Sequence, residues 1–247
     1  MTTTSRKKEG GAANAVEFHD TIAGAFAERY SAGPRFAERL ALWSALIDEL
    51  VHPGSVVVDM GCGPGHLTVL AAARASRVIA IDGSAQMLRE AAASCERQGV
   101  SNVEFRRSLL EEVRASELAP VDVVLCSSVL EYLRDPAAFL AICRDSLRPG
   151  GTLVVSVPNG ASVYRFLERA SFLLLRRPRY LAHVRRISSP SHEENRLRDA
   201  GLEPVRRTWF GAAPLLSPIL RFAGAARFSD TLLLLVARRP GGDEESR

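Results

Sequence analysis

Between residues 56 and 157 the chain switches repeatedly between two hydrophobic rhythms. Val56–Met60 is a continuous run rich in β-branched residues, the pattern of a strand buried on both faces. Arg77–Ile81, Val103–Arg106, Val121–Cys126 and Leu153–Val157 repeat it. Helical stretches lie between them at Leu67–Ala75, Ala85–Arg97 and Pro136–Leu147, the last stopped by Pro149-Gly150-Gly151. Strand, helix, strand in alternation predicts a parallel, doubly wound α/β sheet. Upstream, Phe36, Leu40, Trp43, Ile47 and Leu50 recur at helical steps, and Pro53-Gly54 ends that helix. Asp20 suits the cap of a shorter helix ending near Tyr30, broken by Ser31-Ala-Gly-Pro34. Downstream, Glu193–Ala200 reads as helix, and Pro204–Phe210 and Thr231–Ala237 as two late strands forming an antiparallel hairpin at the sheet edge. Residues 160–187 are extra to the alternation.

A chain of 247 residues suits one large domain. The reading is a disordered tail over 1–16, one domain over 17–239, and a second disordered tail over 240–247. Within the domain, 17–52 forms N-terminal lid helices and 160–187 an insertion or cap. At 47% hydrophobic and 24% charged residues the bulk is not disordered. No apolar run approaches the ~18 residues of a membrane-spanning helix; runs such as Leu232–Ala237 are short. The first residues lack the apolar stretch of an export signal. Cys62, Cys95, Cys126 and Cys143 form no C-x-x-C pair, which argues against a zinc site or disulfide framework and fits a reducing cytoplasm. Charge is uneven: residues 158–247 hold 16 arginines against 9 acids, while residues 1–157 hold 16 basic against 19 acidic residues. Lys7 and Lys8 are the only lysines. Such arginine bias also follows from a GC-rich genome, so the net charge is no argument for nucleic acid.

The strongest chemical signal is the turn after the first strand. Val56-Val-Val-Asp-Met-Gly-Cys-Gly-Pro-Gly65 leads a strand into glycines at 61, 63 and 65, with a helix just beyond. Glycines let backbone approach a ligand, and a helix start offers N–H donors. A dinucleotide fingerprint would read G-x-G-x-x-G; here His66 stands at the third glycine's place and Gly65 comes one residue early. Asp59, at the strand end, would repel a pyrophosphate and suits a ligand with a positive charge or amine. Asp82 follows the second strand about 20 residues on, where an acid can accept both ribose hydroxyls.

These residues resemble motif I of the class I S-adenosylmethionine (SAM)-dependent methyltransferases, D-x-G-x-G-x-G, which Asp59, Gly61, Gly63 and Gly65 match in full. The resemblance covers most of residues 18–238. It implies a mostly parallel, seven-stranded Rossmann-like sheet with an antiparallel edge strand and a helical insertion after strand five. It implies SAM as cofactor. Asp59, Gly61, Cys62, Gly63 and Gly65 would lie against its amino-acid end, Asp82 at the ribose and Met87 near adenine, with Gly83 also among the cofactor-binding residues. Ser108 and Leu109 occupy the place of the family's usual adenine-binding acid, and Ser127 completes the set. Leu147-Arg-Pro-Gly-Gly151 matches the family's segment that closes the helix before strand five. Ala200-Gly201-Leu202 matches as well. In such a reaction the cofactor carries the reactivity, and the protein aligns the reactants and takes up a proton where needed.

Ligands of open α/β sheets bind beyond the strands' carboxyl ends, which singles out Ser127, Ser128, Glu131 and Tyr132 after strand four. Their segment is similar to the V-L-E-H-x-x-D-P of ubiquinone-type O-methyltransferases. Ser128 replaces a Glu and Tyr132 a His of that subgroup's proposed metal site; the retained Glu131 alone does not make a site, so no metal is expected. Glu131 equally suits the start of a helical turn. Val157-Pro158-Asn159 matches the subgroup's V-P-N and is also ordinary turn chemistry. His183 stands where relatives often carry H-x-R-x-[FY]-[ST]-x-x-E. It suits a general base or hydrogen-bond partner, and equally a surface position. Glu131, Tyr132 and His183 are the catalytic candidates. His192 reads as part of a helix cap with Ser191 and Glu194, and Phe18 and Tyr30 as lid aromatics or packing.

Residues 160–187 carry seven arginines and one acid, Glu168. Val163, Phe166, Leu167, Ala170 and Leu174 share one helical face, which suits either a cap over the pocket or weak membrane-surface contact. The combined expectation is a cytoplasmic enzyme that methylates a small molecule at O or N. A non-catalytic SAM- or nucleotide-binding regulatory partner is a second reading. A nucleic-acid methyltransferase is a third, opposed by the lack of an N-P-P-[YF] or Pro-Cys motif after strands four or five. Oligomeric state is not readable.

Overall fold

The computed structural model describes residues 34–118, 120–175, 179–212 and 217–241. The tail 1–16, the helix capped by Asp20, Phe18, Tyr30, Arg176 and Arg177, and residues 242–247 lie outside the described residues.

Helix α1 (Pro34–Leu50) leads into β1 (Val56–Met60), α2 (His66–Ala72), β2 (Arg77–Asp82), α3 (Ala85–Arg97), β3 (Val103–Arg107), β4 (Val121–Ser127), α4 (Pro136–Ser146) and β5 (Leu147–Pro158). Then follow α5 (Val163–Leu175), α6 (Pro190–Asp199), β6 (Glu203–Phe210), α7 (Ser217–Phe222), α8 (Ala226–Ser229) and β7 (Leu232–Arg238). The seven strands form one sheet in the order β3-β2-β1-β4-β5-β7-β6. β1 runs parallel to both β2 and β4, so the winding reverses at β1. That reversal opens a crevice beyond the carboxyl ends of β1 and β4, where ligands of such sheets bind. β7 runs antiparallel to both neighbours and slots between β5 and β6.

The continuous apolar runs of the strands are explained by two cores. Val58, Met60, Ile79, Val124, Leu153 and Leu235 face Phe139 and Leu140 of α4 and Leu197 of α6. Their neighbours Val57, Val78, Val123, Val154 and Leu234 face Trp43 and Ile47 of α1 and Leu67 and Ala71 of α2. Alternate side chains of a strand point to opposite faces, so each strand feeds both cores.

One motif sits differently from its expectation. Leu147-Arg-Pro-Gly-Gly151 does not close α4; the helix ends at Ser146, and the motif is the first part of β5. Leu147 pairs with Val121 and Thr152 with Val123, so the five intervening steps against two make an irregularity in the ladder. Gly150, at φ 77°, provides the left-handed residue that this excursion needs.

Candidate active site

The glycines of the first turn have separable tasks. All three take positive φ. A Cβ on Gly61 would meet Val129 Cγ2 at 2.5 Å, and one on Gly65 would meet Ala91 Cα at 2.8 Å, so both are demanded by packing. A Cβ on Gly63 meets nothing within 4 Å. The loop therefore presents open space at Gly63, the place a ligand could approach. Gly61 N and Cys62 N donate to Ile81 O, fastening the loop to β2. Cys62 itself is buried, and burial, with Asp59 and Asp82 nearby, pushes its thiol well up, so it remains a neutral packing group.

Asp82 joins this loop to the next one. Its Oδ2 accepts from Gly63 N at 2.9 Å and its Oδ1 from Ser84 N at 2.8 Å. Ser84 then caps α3 by accepting from Met87 N at 3.0 Å, and Met87 is buried against the same corner. Gly83 sits between, its carbonyl accepting from Arg107. Ser108 N donates to Asp82 O at 3.2 Å and Ser108 Oγ donates to Leu109 O at 3.0 Å. The ends of β1, β2 and β3 are thus stitched into one rim.

Asp59 lies behind this rim. It is fully buried, and its Oδ2 accepts from Thr68 Oγ1 at 2.7 Å. Burial pushes its carboxyl up to about 7 against the Thr68 hydrogen bond, and the charge of Asp82 adds to the rise. The carboxyl is thus braced by α2 through Oδ2.

Beyond β4 lies a second polar cluster. Ser128 has φ 59°, the one non-glycine with positive φ among the described residues; such strain gathers at functional sites. Arg39 of α1 donates to Ser127 Oγ and, at 3.2 Å, to Ser128 Oγ. Ser127 Oγ lies 3.4 Å from Ser156 Oγ of β5. The start of α1 is anchored by Glu38, whose carboxylate accepts from Gly211 N, Ala212 N and Arg221. Arg39 belongs to no motif in the sequence and was not among the expected site residues.

Glu131, on the 3-10 turn Leu130–Tyr132, is 5% exposed. Its Oε2 has no hydrogen-bond partner among the described residues. Burial pushes its carboxyl up to about 7; its own backbone N–H and the charges of Arg39 and Arg165 oppose the rise, and Glu193 adds to it. Tyr132 is half-buried on the same turn. Among the described residues no three His, Cys, Asp or Glu side chains gather as metal ligands.

The remaining candidates divide. Asn159 is a latch: its Nδ2 donates to Arg227 O and Asp230 O, both at 2.8 Å, and its Oδ1 accepts from Ala161 N. V-P-N therefore acts here as turn chemistry. His183 is half-buried in the segment before α6. That segment is tied to the site's edge, because Arg185 N donates to Glu131 O at 2.8 Å and Gly160 N to Ser188 O at 3.1 Å. His192 belongs to a cap two residues earlier than expected, with Ser189 Oγ accepting from His192 N. The apolar face of α5 turns outward: Phe166 is 71% and Leu174 82% exposed, and Val163 and Leu167 are exposed too.

The glycine turn, the ribose-competent acid and the open space between them fit a nucleoside ligand, and known proteins agree. Residues 57–151 match a family described as a methyltransferase domain. The chain is 30% identical over 164 residues to a ubiquinone biosynthesis O-methyltransferase of Acinetobacter baylyi, covering 66% of this chain and 69% of that protein. It is 33% identical over 166 residues to the enzyme of the same name from Hahella chejuensis, covering 66% and 69%. Its fold superposes on magnesium protoporphyrin IX methyltransferase from Synechocystis PCC 6803 with bound SAH, with a TM-score of 0.70, 18% identity and coverage of 92% and 99%. The chain therefore belongs to the class I SAM-dependent methyltransferases of small-molecule type, and resembles their ubiquinone-biosynthesis O-methyltransferase group.

Proposed function

We propose that this methyltransferase acts in the cytoplasm on an oxygen or nitrogen nucleophile of a small molecule, held beyond the carboxyl ends of β4 and β5. Glu131 carries this reading. An O–H or N–H acceptor must lose a proton, and a general base works best with a pKa near the working pH. A carboxyl that burial has pushed up to about 7 meets that condition.

The cofactor supplies an electrophilic methyl group when bound. Gly63 leaves backbone open to it, and Asp82 has lone pairs for its ribose hydroxyls. Met87, Gly83, Ser108 and Leu109 border its adenine end, and Ser127 and Arg39 its amino-acid end, where a guanidinium balances a carboxylate. Asp59, Gly61, Cys62 and Gly65 keep the loop in shape. Tyr132 and His183 flank the acceptor, as a hydrogen-bond partner and a second proton-carrying group.

Incubation with methyl-labelled SAM and a panel of phenols, catechols and amines, with the methylated atom read by NMR, tests this reading. Glu131→Gln is expected to lower turnover about 10²–10⁴-fold while SAH still binds. Methylation on carbon, or full turnover by the variant, would refute it.

The segment 160–187 is further proposed to touch anionic membrane surfaces weakly. Val163, Phe166, Leu167 and Leu174 are exposed and the segment's sequence carries seven arginines, of which Arg165 is held by Glu168; a basic residue near such a surface contributes roughly 1 kcal/mol. Among the described residues no helix is long and apolar enough to cross a membrane. Sedimentation with anionic vesicles should show weak binding that salt abolishes. Absence of binding, or binding that survives salt, would overturn this.

A further inference from the structure

Against Glu131, at the end of β5, lies a small polar cavity. It is lined by the turn bearing Glu131, the end of β5, Arg186 and Ser188 of the segment before α6, and α6 itself, and is partly open to solvent. Its volume of about 10 Å³ is close to the least that holds one water. Glu131, Arg186, Ser188, Glu193 and Arg196 contribute polar groups to its wall. A water there would find the two to four partners that buried waters need.

Three observations show that this wall is built. Arg185 N donates to Glu131 O, fixing the segment over the turn. Gly160 permits a close approach that no other residue could, since a Cβ there would meet Ser188 O at 2.3 Å. Glu193 is buried and held by Arg196 at 2.7 and 2.9 Å. Against this, the Glu131 carboxyl is more than nine-tenths buried with Oε2 unpartnered among the described residues, and it lines the cavity. A buried polar atom left without a hydrogen bond costs about 1–3 kcal/mol, so a water at this place removes a real penalty. On the outer side Arg186 is exposed and Ser188 half-buried, which puts bulk solvent next to the cavity.

We infer that this cavity holds a water molecule that carries the proton collected by Glu131 out to solvent. The inference rests on Glu131 being the base. The acceptor's proton passes to the Glu131 carboxylate. The carboxyl then gives its proton through Oε2 to the cavity water, while that water gives one of its own to bulk water beside Ser188 and Arg186. Glu131 ends as a carboxylate and the cavity water as a neutral molecule, so protons balance and the site is reset. The charged groups around Glu131 are Arg39 from α1, Arg165 from α5, Glu193 and Arg196 from α6, and Arg186 from the preceding segment. The positive groups outnumber the acids. Arg39 and Arg165 oppose the rise that burial imposes, which keeps the carboxyl at about 7 and able to release its proton at neutral pH.

The test is made on the full chain without cofactor or acceptor. At pH 6 the protonated Glu131 carboxyl gives an infrared C=O band, assigned by its loss in Glu131→Gln. Transfer into D₂O shifts the band at the rate at which Glu131 exchanges its proton with solvent. Exchange should be complete in the first spectrum of the wild type. Ser188→Val, which replaces the hydroxyl with methyl groups in the cavity, should slow it at least tenfold. Val157→Ile fills the same space from β5 and should act likewise, with melting curves reporting that both variants fold. Equal exchange in wild type and both folded variants overturns the water route, and absence of a protonated band at pH 6 does so too. Full turnover by Glu131→Gln would instead sink the assignment of the base, whatever the exchange rates.

Discussion

Gly63→Ala and Gly65→Ala should fail in opposite ways, although both residues have positive φ, 53° and 83°. An L-residue held in the left-handed region loses about 1–2 kcal/mol, and both variants bear that cost. At Gly65 the new methyl also meets the backbone of α3, 2.8 Å from Ala91 Cα. A helix backbone cannot step aside as a side-chain tip can, so overpacking adds about 1–3 kcal/mol. For a chain of this size each kcal/mol moves the melting temperature by about 2–4 °C. Gly65→Ala should therefore melt about 2–12 °C below Gly63→Ala in the absence of ligand. At Gly63 the methyl enters open space, so its further effect appears only when a ligand occupies that space. Calorimetry should find SAH binding weakened at least tenfold in Gly63→Ala relative to wild type. Differential scanning of both apo variants and titration of SAH into each complete the comparison. Equal melting temperatures, or wild-type SAH affinity in Gly63→Ala, would refute the division of the loop into packing and cradle.

Asp82→Ala should weaken SAM binding about 10–150-fold, from the roughly 1.5–3 kcal/mol of a hydrogen bond to a charged group; unchanged calorimetric affinity would show that the ribose is held elsewhere. Glu131 has a folded-state pKa of about 7, above its unfolded value. The folded form therefore binds its proton more tightly, and this group's contribution to stability falls as pH rises from the unfolded value to about 7. Glu131→Gln should gain stability over wild type across that window and hold the gain above it in urea titrations, while wild-type turnover rises with pH to a plateau above about 7. Activity on an identified acceptor should survive EDTA; loss restored by Mg²⁺ would assign the site a metal after all.

Much of the scaffold was legible in the sequence, because it is encoded between near neighbours. The helix over Ala85–Arg97 and the strand over Val56–Met60 stand where their periodicity put them. The glycines at 61, 63 and 65 announced a left-handed turn because few other residues adopt that backbone cheaply. The alternation of strand and helix was enough for a doubly wound sheet with the ligand edge at the strand ends. Other features were invisible because they join residues far apart. Leu147-Arg-Pro-Gly-Gly151 looks like a helix stop, yet pairing of Leu147 with Val121 draws it into β5. Asp59 is braced by Thr68 of α2, and Arg39 reaches serines 88 and 89 positions away. Glu131 has the same letter in a solvated turn or a buried one. Its proton affinity is decided by burial beneath the segment containing Arg185, and by guanidinium groups from α1 and α5. Local backbone preference is a property of a few consecutive residues, whereas desolvation and Coulomb energy depend on what folding brings within a few ångströms. The sequence by itself therefore determined the sheet and its glycine turn, and the tertiary structure decided which carboxyls are buried and raised toward neutral pH.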